Sequence, residues 1–149
     1  MTTPNKLSHI SDTGTAHMVD VSGKSPTLRR AVAEGFVEMA SETFQTLVAN
    51  TGPKGEVLPV ARIAGIQAAK RTGELIPLCH PLPLDQVTVD FELLPPKRVR
   101  ILATATIHAK TGIEMEAFTA VSIAGLTIID MLKGIDPAGL VLPKGVSVA

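Results

Sequence analysis

The sequence has no tryptophan, no tyrosine and only four phenylalanines among its 149 residues. A core without large rings has to be aliphatic, filled by Val, Ile, Leu and Ala. There is a single cysteine, Cys79. It cannot make an internal disulfide, which fits a reducing compartment. An excess of either charge is also absent: fourteen basic residues balance fourteen acidic ones. That argues against a nonspecific nucleic-acid binder, which needs a positive surface, while leaving room for a local basic pocket that takes a small anion. The N-terminal stretch MTTPNKLSHISDTG lacks the apolar core of a signal sequence. The longest uncharged apolar run, residues 117–129, contains Thr, Ser and Gly and is shorter than the about 20 residues of a membrane helix. Both absences point to the cytoplasm and away from a membrane.

What the chain does contain is aliphatic bulk. Hydrophobic residues make up 45% of it, and the mean hydropathy is +0.29. A small domain this apolar is expected to bury surface against other subunits. The length suits one domain spanning residues 1–149, with residues 1–17, polar and without period, as a mobile N-terminal arm.

Residues 27–40 fit neither periodic template cleanly and are read as a strand entering the core. Ser41 has the character of an N-cap, with Glu42 in the first turn. Phe44, Leu47 and Val48 then give a short helical stripe, stopped by Asn50-Thr51-Gly52-Pro53. A second helix is expected at about 56–71, small-sided through Ala61, Ala64, Gly65, Ala68 and Ala69, with Gly73 as its stop signal. The period then becomes two. Val87, Val89, Phe91 and Leu93 alternate with polar residues, Pro95-Pro96-Lys97 turns the chain, and Val99, Ile101, Ala103, Ala105 and Ile107 alternate again. This predicts an antiparallel hairpin with one apolar face, covered on one side by helices. A long helix at about 114–132, apolar nearly all round, is predicted to be buried on most faces. Leu140-Val141-Leu142 begins a last strand. The order strand, helix, helix, strand, strand, helix, strand reads as an α+β sandwich of the ferredoxin-like kind.

Four clusters could carry chemistry. Gly52-Pro53-Lys54-Gly55 precedes a helix and offers backbone N–H groups and one cation to a phosphate, although an ordinary turn with a solvated lysine has the same composition. Arg62 and Lys70 lie eight apart, nearly on one helical face. Lys70 and Arg71 also suit the C-terminal dipole, whereas Arg62 sits among Val60, Ala61, Ile63, Ala64 and Gly65 and must find a partner. Leu78-Cys79-His80-Pro81 lies in a proline-stiffened loop, where His80 suits acid–base work near neutral pH or simply fills a loop position. Adjacent Cys and His with no second cysteine do not make a zinc site. In the long helix, Glu114 and Glu116 suit the N-terminal dipole. Asp130 stands near the other end, where an anion is disfavoured, with Lys133 one turn on. Glu116 and Asp130 are fourteen positions apart, about 21 Å at helical rise. One small substrate cannot touch both within a chain, so either they serve different ends or neighbouring copies bring them together.

Three stretches carry a resemblance. KGEVLPVARIAGIQAAKRTGELIPLCHPLPL at 54–84, TGIEMEAFTAVSIAGLTIIDMLK at 111–133, and MVDV at 18–21 with Lys24 are similar to the signatures of the cyclic pyranopterin monophosphate synthase family. Together they cover most of the chain. The resemblance implies a ferredoxin-like fold assembled as a homohexamer, a trimer of dimers, with active sites at subunit interfaces. It implies a lyase of molybdenum cofactor biosynthesis that converts 3′,8-cyclo-7,8-dihydroguanosine triphosphate to cyclic pyranopterin monophosphate with release of pyrophosphate. Asp130 would be the catalytic acid/base, with Lys133 and Lys54 completing the catalytic set. Leu78, Cys79, His80, Met115 and Glu116 would contact substrate, with Glu114, Arg62 and Lys70 added to the binding set. No cofactor is implied, and any Mg²⁺ would accompany the triphosphate. The family's chains usually continue past the last strand with a Gly- and Lys-containing tail, whereas this sequence stops at Val146-Ser147-Val148-Ala149. Two rivals stand beside this reading: a ligand-binding module without turnover, for which the Asp130 carboxylate would be dispensable, and a structural assembly subunit, in which the cations scatter over the surface.

Overall fold

A computed structural model of the chain describes residues 10–136 and the backbone of residues 141–148. Strand β1 (Thr27–Glu38) is followed by helices α1 (Ser41–Ala49), α2 (Val57–Lys70) and the single turn α3 (Thr72–Leu75). The hairpin β2 (Gln86–Leu94) and β3 (Arg98–Ala109), the long helix α4 (Glu114–Leu132) and strand β4 (Val141–Val148) complete it. The sheet order is β2-β3-β1-β4, antiparallel throughout. This is the expected α+β ferredoxin-like arrangement, with α2 and α4 packed on one face.

The alternating residues dictate which side of the sheet faces the helices. Val89 from β2, Val99, Ile101, Ala103, Ala105 and Ile107 from β3, and Ala31, Ala33 and Val37 from β1 are buried. The opposite face carries half-buried ion pairs: Arg100 meets Glu34 at 2.7 Å and Glu92 at 3.3 Å, and the Arg98 guanidinium lies 4.3 Å above the Phe36 ring. Among the described residues of the buried cluster Phe44 is the one ring, with Phe91 and Phe118 partly buried against it, and the rest is aliphatic with methionine, as the composition requires.

Helix α4 has the length and hydropathy of a membrane span, but here it is the central strut of the fold. Ala117, Ala120, Val121, Ala124, Ile128 and Leu132 are fully buried. They face the sheet and the neighbouring α2. Gly65 makes the close approach to α2 possible: a methyl there would stand 2.9 Å from Ala120 O and 3.3 Å from Ala124 Cβ.

Three local expectations are corrected. Helix α1 is capped at Ala40 rather than Ser41, with no side-chain cap bond. The Ala40 N–H instead donates to the Asp136 carboxylate at 2.9 Å, a partner 96 positions away that no local pattern could reveal. Val48, placed on the buried stripe by spacing, is exposed, and Thr43 is buried in its stead. Gly73 does not stop the second helix: Arg71 breaks it, and Gly73 lies inside α3. Part of the expected N-terminal arm, residues 1–9, lies outside the described residues. Residues 10–17 form a local turn in which Ile10 bridges to Ala16 and Ser11 N donates to Thr15 O.

Candidate active site

Apart from Arg62 and Lys70, the residues singled out in the sequence gather at two places, one at each end of α4. At its N-terminal end lies a cavity of about 350 Å³ lined by Leu78, Cys79, His80, Glu114, Met115 and Glu116. That size falls within the usual range for small-ligand sites. The remainder of the lining comes from residues without periodic signal: Val19, Val21 and Lys24 before β1, Leu82, and Thr111 and Gly112 before α4. All of them fall within or beside the three stretches that carry the family resemblance, at 18–21 with Lys24, 54–84 and 111–133, but none stands out by its own chemistry.

The loop between α3 and β2 is fixed at both ends. Ile76 N donates to Thr72 O and Cys79 N to Ile76 O. Asp85 N donates to Thr106 O at 3.0 Å, and its carboxylate accepts from His108 N, also at 3.0 Å. Gly73 lets this loop lie on α3, since a methyl there would sit 2.9 Å from Pro81 Cα. The His80 ring reaches the segment before β1, with Nε2 2.7 Å from Val19 O.

Glu116 is 3% exposed and faces this cavity. Burial pushes its carboxyl up from the ordinary range and the Glu114 charge adds to this, against a backbone hydrogen bond that lowers it. The Cys79 thiol is also raised, first by burial and then by Glu116 and Glu114. Cys79 is therefore a neutral thiol rather than a thiolate nucleophile.

At the other end, Asp130 is held between two cations. Lys133 Nζ lies 3.1 Å from Oδ1, and Lys54 Nζ lies 3.5 Å from Oδ2. Lys54 also donates to the Asp130 backbone carbonyl at 3.1 Å. The Lys133 hydrogen bond, then the Lys54 charge, hold the Asp130 carboxyl below its usual range, so it is ionised at neutral pH. The Gly52-Pro53-Lys54-Gly55 segment is a tight turn closed by Gly55 N donating to Gly52 O at 3.2 Å, and Gly55 adopts a left-handed φ of 88°. It aims Lys54 at the end of α4. Beside Asp130 and Lys133 is an open apolar hollow lined by Ile123, Leu126, Thr127 and Ile129.

Within one chain the two groups do not meet. Glu116 and Asp130 both lie on α4, about 21 Å apart along its axis. Arg62 and Lys70 join neither. Arg62 finds its partners on the edge strand: Nε donates to Val89 O at 2.8 Å, with Asp90 at 4.0 Å and the Phe91 ring centre at 5.7 Å. Lys70 is exposed at the end of α2. Among the described residues no group of three or more His, Cys, Asp or Glu could hold a metal ion.

Comparison with known proteins gives this arrangement a family. A cyclic pyranopterin monophosphate synthase of Corynebacterium glutamicum (strain R) is 53% identical over 137 residues, 92% of this chain and 87% of that protein. One from Novosphingobium aromaticivorans is 54% identical over 132 residues, covering 89% and 83% respectively. Cyclic pyranopterin monophosphate synthase 1 of Mycobacterium tuberculosis (strain H37Rv) is 56% identical over 132 residues, covering 89% and 78%. Residues 18–146 match the MoaC family, a span that takes in both ends of α4 and the segment before β1, and the chain belongs to that family.

Proposed function

We propose that this chain is a cyclic pyranopterin monophosphate synthase of molybdenum cofactor biosynthesis. Its substrate is 3′,8-cyclo-7,8-dihydroguanosine triphosphate, and its products are cyclic pyranopterin monophosphate and pyrophosphate. The observation that carries this reading beyond the relatives' names is the Lys54–Asp130–Lys133 group: an ionised carboxylate between two ammonium groups. The reaction needs both functions. A substrate hydroxyl attacks the α-phosphorus, a new O–P bond forms, and the bond to the β-phosphate breaks. A carboxylate can take the proton from the attacking oxygen, and lysines can hold the charge that grows on the departing pyrophosphate. Ring opening and ring closure in the pterin precursor require further proton transfers, for which Asp130 is the acid/base. The Leu78–Glu116 cavity, apolar on one side and acidic on the other, suits the guanine-derived rings, whose N–H groups donate to carboxylates. Any Mg²⁺ enters on the phosphates and is part of the substrate.

The catalytic trio and the ring-binding cavity belong to one reaction only if different chains supply them. Leu126 and the α2 residues Val60 and Ile63 are exposed apolar side chains, and the hollow lined by Leu126 adjoins Asp130 and Lys133. A neighbouring subunit covering this hollow would bring its own cavity toward the trio. This supports assembly with other copies and a site shared between subunits; the assembly proposed is a cytoplasmic homohexamer, a trimer of dimers. The test is to supply the cyclised triphosphate and measure pyrophosphate and the pterin product. Asp130→Asn should lower product formation by about 10²–10⁴-fold, the worth of general acid–base catalysis, with the sedimentation of the assembly unchanged. Turnover retained in that variant would remove Asp130 from its role.

A further inference from the structure

His80 stands between α3 and β2, yet its ring is engaged 61 positions upstream, with Nε2 2.7 Å from the Val19 carbonyl. A carbonyl oxygen only accepts, so Nε2 carries the hydrogen in this contact. In the neutral ring that leaves the free lone pair on Nδ1. The segment so held has its own shape. Ser22 N donates to Asp20 Oδ1 at 2.9 Å, and Lys24 N donates to Val21 O at 3.0 Å. These two turns present Val19, Val21 and Lys24 to the cavity. The segment belongs to no helix or strand until β1 begins at Thr27. The ring, in contrast, is carried on a stiff support, because Pro81 rests against Gly73 and the loop is tied to β3 through Asp85.

We infer that His80 is a positioning residue: its Nε2–H latches residues 19–24 over the cavity and so holds Lys24 in the cavity wall, facing the bound substrate. The inference rests on the function proposed above, and it gives His80 a task distinct from proton transfer to substrate. A firm loop holds a soft wall through one directed bond. Losing that bond frees the wall without emptying the loop.

The test uses the full chain with His80→Ala and His80→Gln. The glutamine amide can donate to the Val19 carbonyl but cannot carry a proton through a catalytic cycle. Two readouts are taken: amide hydrogen exchange over residues 17–24, and steady-state kinetics on the cyclised triphosphate. In His80→Ala, exchange in this segment should quicken about two- to tenfold, the worth of one hydrogen bond. KM should rise by a larger factor than kcat falls. In His80→Gln, protection and KM should return most of the way to the parent values. Unchanged exchange in His80→Ala overturns the latch. So does a His80→Gln protein that keeps its protection yet loses kcat by about 10²–10⁴-fold, which is the mark of an acid or base. Should the alanine variant fail to fold, the glutamine variant decides alone. Absence of product from the unaltered protein would reject the proposed function, and the exchange comparison would still judge the latch.

Discussion

Replacing Gly73 with alanine should damage the active site more than it damages the fold. The added methyl would stand 2.9 Å from Pro81 Cα, 3.1 Å from Pro81 N and 3.3 Å from His80 O. Ordinary carbon contacts lie at about 3.5–4.0 Å, so the loop must retreat by about half an ångström. All three neighbours are backbone atoms in a proline-stiffened loop tied down at Asp85, and no side chain can rotate away to absorb the strain. Overpacking of this kind costs about 1–3 kcal/mol, offset by up to about 1 kcal/mol because alanine restricts the unfolded chain and favours the helix. A net loss of about 1–2 kcal/mol lowers the melting temperature by about 2–8 °C in a domain of this size. Turnover should fall further, by about tenfold, because the displaced atoms carry Cys79 and His80 and catalysis is steep in sub-ångström misplacement. Gly65→Ala is the control. Its methyl meets Ala120 O at 2.9 Å, Val89 Cγ2 at 3.1 Å and Ala124 Cβ at 3.3 Å, comparable crowding remote from that loop. It should melt early but lose less turnover per folded molecule than Gly73→Ala, since it presses on the middle of α4 and not on the loop that carries Cys79 and His80. Thermal melts at fixed protein concentration and initial rates separate the two. If Gly73→Ala matches the parent in both, or if Gly65→Ala loses as much turnover, the packing argument fails.

Two further outcomes follow from groups at either end of α4. Burial raises the Glu116 carboxyl above its unfolded value, so the folded chain keeps a proton that the unfolded chain has already released, and stability falls as pH climbs from the ordinary carboxylate range through the raised value. Glu116→Gln should therefore gain stability over the parent as pH rises and show no gain below about pH 4, while losing activity; melts across pH check this, and a difference that does not grow with pH contradicts it. Leu126→Glu puts a charge in the hollow beside Asp130 and should lower the sedimentation coefficient with the far-ultraviolet circular dichroism preserved; an assembly indifferent to that charge would mean the hollow is not a contact between copies.

The parts of the fold that could be read from the sequence are those whose signal is local. Helix α4 runs from Glu114 to Leu132 as expected, because the uncharged apolar run at 117–129, with Glu114 and Glu116 before it and Gly134 after it, allows little else. The hairpin was legible from its period of two. Strand β1 was obscure because its inward residues include Ala31, Ala33 and Gly35, which are too small to stand out from their neighbours. Asp136 as the support of α1 was not visible, since the bond spans 96 positions, and the partners of Arg62 include a backbone carbonyl, which composition never shows. The site divides in the same way. Asp130 stood out by its place near the helix C-terminus with Lys133 one turn on, whereas Lys54 was joined to them only by the family resemblance; the three do cluster. The wall formed by Val19, Val21 and Lys24 has no period and no unusual composition, and its placement depends on a distant ring.

Since a single strut carries Glu114 and Glu116 at one tip and Asp130, paired with Lys133, at the other, its residue count is itself information. One extra residue in its uncharged middle would advance one tip by about 1.5 Å and swing it through about 100° relative to the other. The uncharged stretch of α4 therefore serves as a ruler and a protractor at once, and the number of its side chains matters to the two tips as much as their identity does.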